Sequence, residues 1–63
     1  MSWKDAKTEA ISWLEKLSLP ADLKGREIDL EEITKELPHT GRFREMVARA
    51  IARQLKARGA KIN

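Results

Sequence analysis

The chain has 63 residues with no cysteine and one histidine, so we expect a single domain, 1–63, with neither a disulfide nor a metal site. No apolar run approaches the roughly 20 residues of a transmembrane helix, and the start, SWKD, is unlike a signal peptide, which predicts a soluble, intracellular-type protein. The net charge of +3 is unevenly divided: residues 1–37 carry six Lys or Arg against nine Asp or Glu, whereas residues 38–63 carry seven against Glu45 alone, a pattern that favours a polyanionic partner.

The first predicted helix covers about residues 3–18. Ser2 with Asp5 has the spacing of a capping box, which marks the helix start. Apolar side chains then recur at helical spacing and define one stripe, formed by Trp3, Ala6, Ala10, Trp13, Leu14 and Leu17. Because both tryptophans lie on this stripe with the leucines, we interpret them as core residues and not as recognition residues. Pro20 ends the helix.

The second predicted helix is short and covers about residues 30–37. Asp29 with Glu32 forms another capping box, and Ile28 with Ile33 has the spacing of a hydrophobic staple around it. Pro38 limits this helix to about two turns.

The third predicted helix covers about residues 41–58, between an N-cap at Thr40 and a left-handed cap at Gly59. Its core stripe comprises Phe43, Met46, Val47, Ala50 and Ile51, with Leu55 at one margin. The opposite face comprises Glu45, Ala48, Arg49, Ala52 and Lys56, flanked by Arg42 and Arg53. Because the two alanine side chains are small, the backbone of helix 3 can approach a partner's surface closely there. The long cationic side chains can then extend along that surface.

These elements predict an all-α, three-helix domain of the helix-turn-helix type. Its expected core comprises Trp3, Trp13, Leu14, Leu17, Ile33, Leu37, Val47 and Ile51.

Residues 29–62, DLEEITKELPHTGRFREMVARAIARQLKARGAKI, resemble the second half of a helix-turn-helix or winged-helix DNA-binding domain. In that family a helix of the form D/S-L-E-E-[IL]-A-K-E-L leads to a V-x-R-x-[IL] helix with an R-G ending, matched here by residues 47–51 and 58–59. The chain departs from the family in its longer turn, residues 38–42, and in any wing, which is reduced to a vestigial two-strand pairing near Ile28 and Ile62. The idealised caps and small size also resemble those of computationally designed or engineered DNA-binding mini-proteins.

The resemblance implies that helix 3 enters the major groove of double-stranded DNA. The base-reading residues would be Arg42, Arg44, Glu45, Ala48 and Arg49, and the phosphate-binding residues would be His39, Thr40, Arg53 and Lys56. Arginine suits guanine, and a glutamate can accept a hydrogen bond from the cytosine amino group. Glu45 has an equally good explanation as a partner of the helix N-terminal dipole.

The main alternative is a small three-helix protein-interaction module, or a designed protein binder, that uses the same basic face on an acidic partner. A membrane partner is disfavoured because the apolar stripe of helix 3 is needed to cover the other helices. RNA is less favoured because the basic face lacks aromatic residues that stack on bases. We expect no enzyme activity, cofactor or small-molecule substrate, since His39 has no nearby cysteine and the chain is too small for a substrate pocket. A monomer is expected.

Overall fold

The computed structural model describes residues 2–63 and has three helices and two short strands. In chain order these are α1 (Trp3–Leu17), β1 (Glu27–Ile28), α2 (Leu30–Thr34), α3 (Gly41–Ala57) and β2 (Lys61–Ile62). The predicted three-helix, mainly helical class is confirmed, and so is the strand pairing near Ile28 and Ile62. No helix within residues 2–63 has the length and apolar character needed to cross a membrane.

Helix α1 begins and ends as local sequence predicts. The Ser2 hydroxyl accepts a hydrogen bond from the Asp5 backbone N–H at 3.3 Å, which satisfies one donor of the first turn. At the other end Ser18 is left-handed, with φ of 54°, and its N–H donates to the Glu15 carbonyl. Small buried residues, Ala6 and Ala10, lie on the inner face of α1, so that α3 can pack closely against it.

Helix α2 is shorter than predicted, because it ends at Thr34 and not at residue 37. Its start is capped by the Asp29 carboxylate, which accepts from the Glu31 N–H at 3.0 Å, one residue earlier than the capping-box pattern predicts. After Thr34 the chain tightens into a turn in which the Leu37 N–H donates to the Thr34 carbonyl at 3.1 Å. Pro38 has no N–H to donate to the Thr34 carbonyl, which accepts instead from the Leu37 N–H and from the Arg44 guanidinium.

The end of α3 joins the helix to the strand pair. The Gly59 N–H donates to the Lys56 carbonyl at 2.9 Å and the Ala60 N–H to the Leu55 carbonyl at 3.1 Å, the two bonds of a Schellman motif. The chain then runs into β2, which pairs in parallel with β1 in a register that places Ile28 opposite Ile62. The sequence thus correctly predicted the left-handed cap at Gly59, where φ is +96°.

One apolar cluster lies between α1, α3 and the connectors. Its buried members are Ala6, Ala10, Leu14, Leu23, Leu37, Val47, Ala50, Ile51, Leu55 and Ala60. The predicted core is confirmed for Leu14, Leu37, Val47 and Ile51, whereas Trp13 and Ile33 are only partly buried.

Two core predictions are wrong, because Trp3 and Leu17 are each 39% exposed. Both residues lie at the ends of α1, and α3 covers the Trp3 ring only in part, through the Arg53 guanidinium. Conversely, Leu23 is fully buried although it lies in an irregular connector. Its N–H donates to the Arg58 carbonyl at 2.8 Å, which holds the connector against the end of α3.

Candidate nucleic-acid interface

Five exposed side chains follow one another along the outer face of α3 and are called here the α3 stripe: Arg42, Glu45, Arg49, Arg53 and Lys56. At about 100° per residue the four cations fall within roughly 60° of one another around the helix. Ala48 and Ala52 lie beside them and are half-buried. The two alanines therefore lie along one side of the row of cations, and not between the cations as the sequence analysis predicted.

The cations of the α3 stripe are free of internal ion pairs. Within residues 2–63 the one pairing of a cationic group with a carboxylate joins His39 to Glu9, and neither residue belongs to the stripe. Glu45 stands four residues before Arg49, a spacing that allows an ion pair on a helix, yet the two do not form one. The guanidinium and ammonium groups of the stripe thus keep their donors available for an external anion.

Arg44 lies elsewhere and has a structural role. One guanidinium nitrogen donates to the Leu37 carbonyl at 2.7 Å and, more weakly, to the His39 carbonyl at 3.4 Å, while the other donates to the Thr34 carbonyl at 2.8 Å. These carbonyls belong to the last residue of α2 and to the connector between α2 and α3. The prediction that Arg44 reads bases conflicts with this placement, because its side chain is half-buried and already bonded.

His39, predicted to bind phosphate, is also engaged inside the fold. Its Nε2 lies 2.8 Å from Oε1 of Glu9 on α1, and its ring packs edge-on against Phe43 with centroids 5.3 Å apart. The Nδ1 atom is buried and makes no hydrogen bond with residues 2–63. A carboxylate beside the ring opposes the approach of a phosphate, so the geometry gives His39 a role in joining α1 to the turn.

Thr40 occupies the N-cap position of α3, as predicted, but its hydroxyl forms no capping hydrogen bond. Its carbonyl accepts from the Arg44 N–H at 3.3 Å, and the next residue, Gly41, has φ of +63°. The exposed hydroxyl is therefore available at the start of the α3 stripe.

The indole of Trp3 adds a component to the interface that the sequence analysis missed. The Cζ atom of Arg53 lies 5.0 Å from the centroid of the Trp3 ring, within the range of a cation–π interaction. The expectation that the basic face lacks an aromatic residue is therefore wrong. The available signal was the position of Trp3 at the first residue of α1, where a stripe residue is least covered.

The chain was compared with protein-family models, curated proteins and solved structures, and none of them matches.

Proposed function

We propose that this chain binds double-stranded DNA through the α3 stripe, in the manner of a helix-turn-helix domain. The observation that carries the proposal is the run of four exposed cations along one face of a 17-residue helix, none of which forms an ion pair with another of residues 2–63. Such a face matches the regular negative charge of a duplex backbone, which dominates the affinity of DNA-binding proteins. The half-buried alanines leave the helix narrow on that side, as insertion into a groove requires.

The dimensions of α3 agree with binding in the major groove. A helix of this length extends roughly 25 Å, and the major groove, about 12 Å wide, admits one helix. In the proposed complex Arg42, Glu45 and Arg49, from the N-terminal two thirds of α3, lie against base edges. Arg53 and Lys56 follow toward the C-terminal end and contact phosphates, which position the protein without reading sequence.

In this arrangement α2, the connector 35–40 and α3 form the helix-turn-helix unit. Arg44 stabilises this unit, because its hydrogen bonds to the Thr34 and Leu37 carbonyls hold the end of α2 and the connector against α3. Its contribution to DNA binding is therefore to position the stripe, and the base-reading set contracts to Arg42, Glu45, Ala48 and Arg49. Thr40 remains a candidate phosphate donor, and His39 does not.

The second candidate is a protein-interaction module in which the α3 stripe binds an acidic partner. The same four cations without internal ion pairs favour it as well, since they would attract a carboxylate-rich surface. Glu45, the one acidic residue of the stripe, favours DNA over an acidic protein partner, because its carboxylate can accept a hydrogen bond from the amino group of cytosine.

Enrichment of randomised duplexes followed by affinity measurement at several salt concentrations tests the proposal. With Arg53 and Lys56 on phosphates, log K should fall with log salt with a slope of about 2, and one short motif should be enriched. Replacing the exposed Lys16 on α1 by alanine supplies a control that leaves the stripe intact. Absence of salt-dependent duplex binding contradicts the proposal, and tighter binding to an acidic peptide than to any duplex supports the interaction module instead.

A further inference from the structure

Trp3 lies in a groove between the start of α1 and the C-terminal half of α3. The groove has a volume of about 560 Å³ and is lined by Trp3, Arg49, Ala52, Arg53 and Lys56. This volume falls within the range of small-molecule binding sites, roughly 300–1,000 Å³. The groove is therefore large enough for a nucleotide, contrary to the expectation that so small a chain has no room for a ligand, and it includes part of the α3 stripe.

The chemistry of the lining is a combination of one aromatic ring and three cations. Trp3 is 39% exposed, although its ring also contacts the Arg53 guanidinium, which restricts both side chains. Arg53 covers one face of the indole, and Ala52 contributes only a methyl group to the lining. None of the five lining residues carries a negative charge. An occupant should therefore have a flat π system and an adjacent anion.

We propose that this groove binds an unpaired nucleotide of single-stranded nucleic acid, with the base stacked on Trp3 and the flanking phosphates held by Arg49 and Lys56. Every base has a π face, and stacking on an aromatic side chain adds to the attraction between cations and the backbone. The polar groups of the lining are all cationic donors, so binding should depend little on base identity. This activity goes beyond the proposed function, because bases paired within a duplex cannot reach the indole.

Other occupants match the groove less well. An apolar peptide would leave three cations next to an uncharged surface, which costs desolvation without compensation. An acidic peptide would satisfy the cations but offers the exposed indole no stacking partner. A comparison of ligands that differ only in the presence of bases therefore isolates the feature that is specific to nucleic acid.

The test is a fluorescence titration of the whole chain with two single-stranded oligomers of equal length and charge, one of thymidine and one with abasic sugars. We expect the thymidine oligomer to bind roughly tenfold more tightly and to quench the Trp3 emission. Trp13 is an internal reference, because its indole N–H donates to the Ile33 carbonyl at 2.8 Å and its ring is half-buried. Equal affinity for the two oligomers would overturn the proposal.

Two substitutions at Trp3 give the site-specific control. Trp3→Ala should bring the two affinities to within about twofold while leaving the abasic oligomer bound as before, whereas Trp3→Phe should keep part of the preference and lose the quenching. The Phe variant keeps the proposal testable if the Ala variant folds poorly, as judged from its helical circular dichroism. A preference that persists unchanged in Trp3→Ala, or tighter binding of a polyglutamate peptide than of the thymidine oligomer, would overturn the proposal.

A blunt duplex titrated in parallel reports on the proposed function separately. Duplex binding with no preference between the oligomers contradicts only the Trp3 site. A preference for thymidine without duplex binding supports the Trp3 site and contradicts the major-groove proposal.

Discussion

The guanidinium of Arg44 donates a hydrogen bond to the main-chain oxygen of Leu37 at 2.7 Å. Leu37 is buried and belongs to the connector between the two helices, so the bond joins the first turns of α3 to the chain that enters it. A hydrogen bond from a charged donor is stronger than one from a neutral donor. If the donor is removed, a partly buried carbonyl is left without a hydrogen-bond partner, and this destabilises the fold.

Arg44→Ala should therefore lower the free energy of unfolding by about 2 kcal/mol, the range expected for hydrogen bonds from a charged donor. Arg42→Ala is the matched control, because Arg42 is exposed on the same turn of α3 and a surface change of this kind costs less than about 0.5 kcal/mol. Urea denaturation followed by circular dichroism measures both. Equal midpoints for the two variants would show that the Arg44 contacts do not stabilise the fold.

Helical spacing could have placed Arg44 away from the basic face, but its bonding partners could not be predicted from the sequence. On a helical wheel Arg44 lies about 200° from Arg42, on the side of the buried residues Ile51 and Leu55. Its function depends on where the connector 35–40 passes, which is set by the early end of α2 and by Pro38. That path is a tertiary property with no periodic pattern behind it.

Trp13 and Trp3 should differ sharply in their effects on stability. Trp13→Ala should cost about 3 kcal/mol, at the low end for a large aromatic residue because the site is only half-buried, and it also removes the hydrogen bond to the Ile33 carbonyl. Trp3→Ala should cost less than about 1 kcal/mol, since that side chain is exposed at the end of α1.

Chemical denaturation of both variants provides the measurement. Trp13→Phe is an intermediate case that keeps an aromatic ring and loses the N–H donor, and it should lower the free energy of unfolding by about 1 kcal/mol. A domain of this size has a total stability of roughly 3–5 kcal/mol, so Trp13→Ala should be largely unfolded in modest urea. A greater loss at Trp3 than at Trp13 would contradict the burial described here.

Arg49 and Lys56 should affect duplex binding in different ways. In the proposed complex Arg49 faces base edges, and Arg49→Ala should weaken the preferred site by about 1–3 kcal/mol with little effect on random duplex. Lys56 lies two turns later and contacts phosphate, so Lys56→Ala should weaken both duplexes alike and reduce the salt slope by about one unit.

Titration of both variants against preferred and scrambled duplexes at several salt concentrations separates the two roles. Equal losses on the two duplexes for Arg49→Ala would mean that Arg49 contacts the backbone. Lys16→Ala should leave both affinities unchanged, because Lys16 is exposed on α1 and does not belong to the α3 stripe.

Gly59 should tolerate substitution less well than Gly25. Its φ is +96°, and a Cβ at this position would lie 2.9 Å from the Lys24 Cα, so Gly59→Ala requires both backbone strain and movement of the connector. We expect a loss of about 2–3 kcal/mol. Gly25 also has positive φ, +79°, but no atom lies within 4 Å of its Cβ position, and Gly25→Ala should cost about 1 kcal/mol. Thermal denaturation compares them, and equal losses would exclude a steric role for Lys24.

The parts of the fold that local chemistry determines were the predictable ones. Ser2, Asp29 and Gly59 mark helix ends because their side chains or backbone freedom act within a few residues. The burial of Leu23 was not predictable, since it depends on which element lies opposite it, whereas the position of Trp3 at the first residue of α1 was a usable signal of its exposure. For the candidate site the α3 stripe followed from helical spacing, whereas the groove at Trp3 required the relative placement of two helices.

Helix α3 is fixed at both ends. The Arg44 contacts hold its N-terminal end, and the Schellman motif and the pairing of β2 with β1 hold its C-terminal end. Its backbone has therefore already lost its conformational freedom when a partner arrives. A partner of the α3 stripe would bind without coupled folding, with a heat-capacity change that reflects the contact area alone. Any adjustment of shape would then fall to the partner, and a duplex with easily deformed base steps would fit this face better than a stiff one.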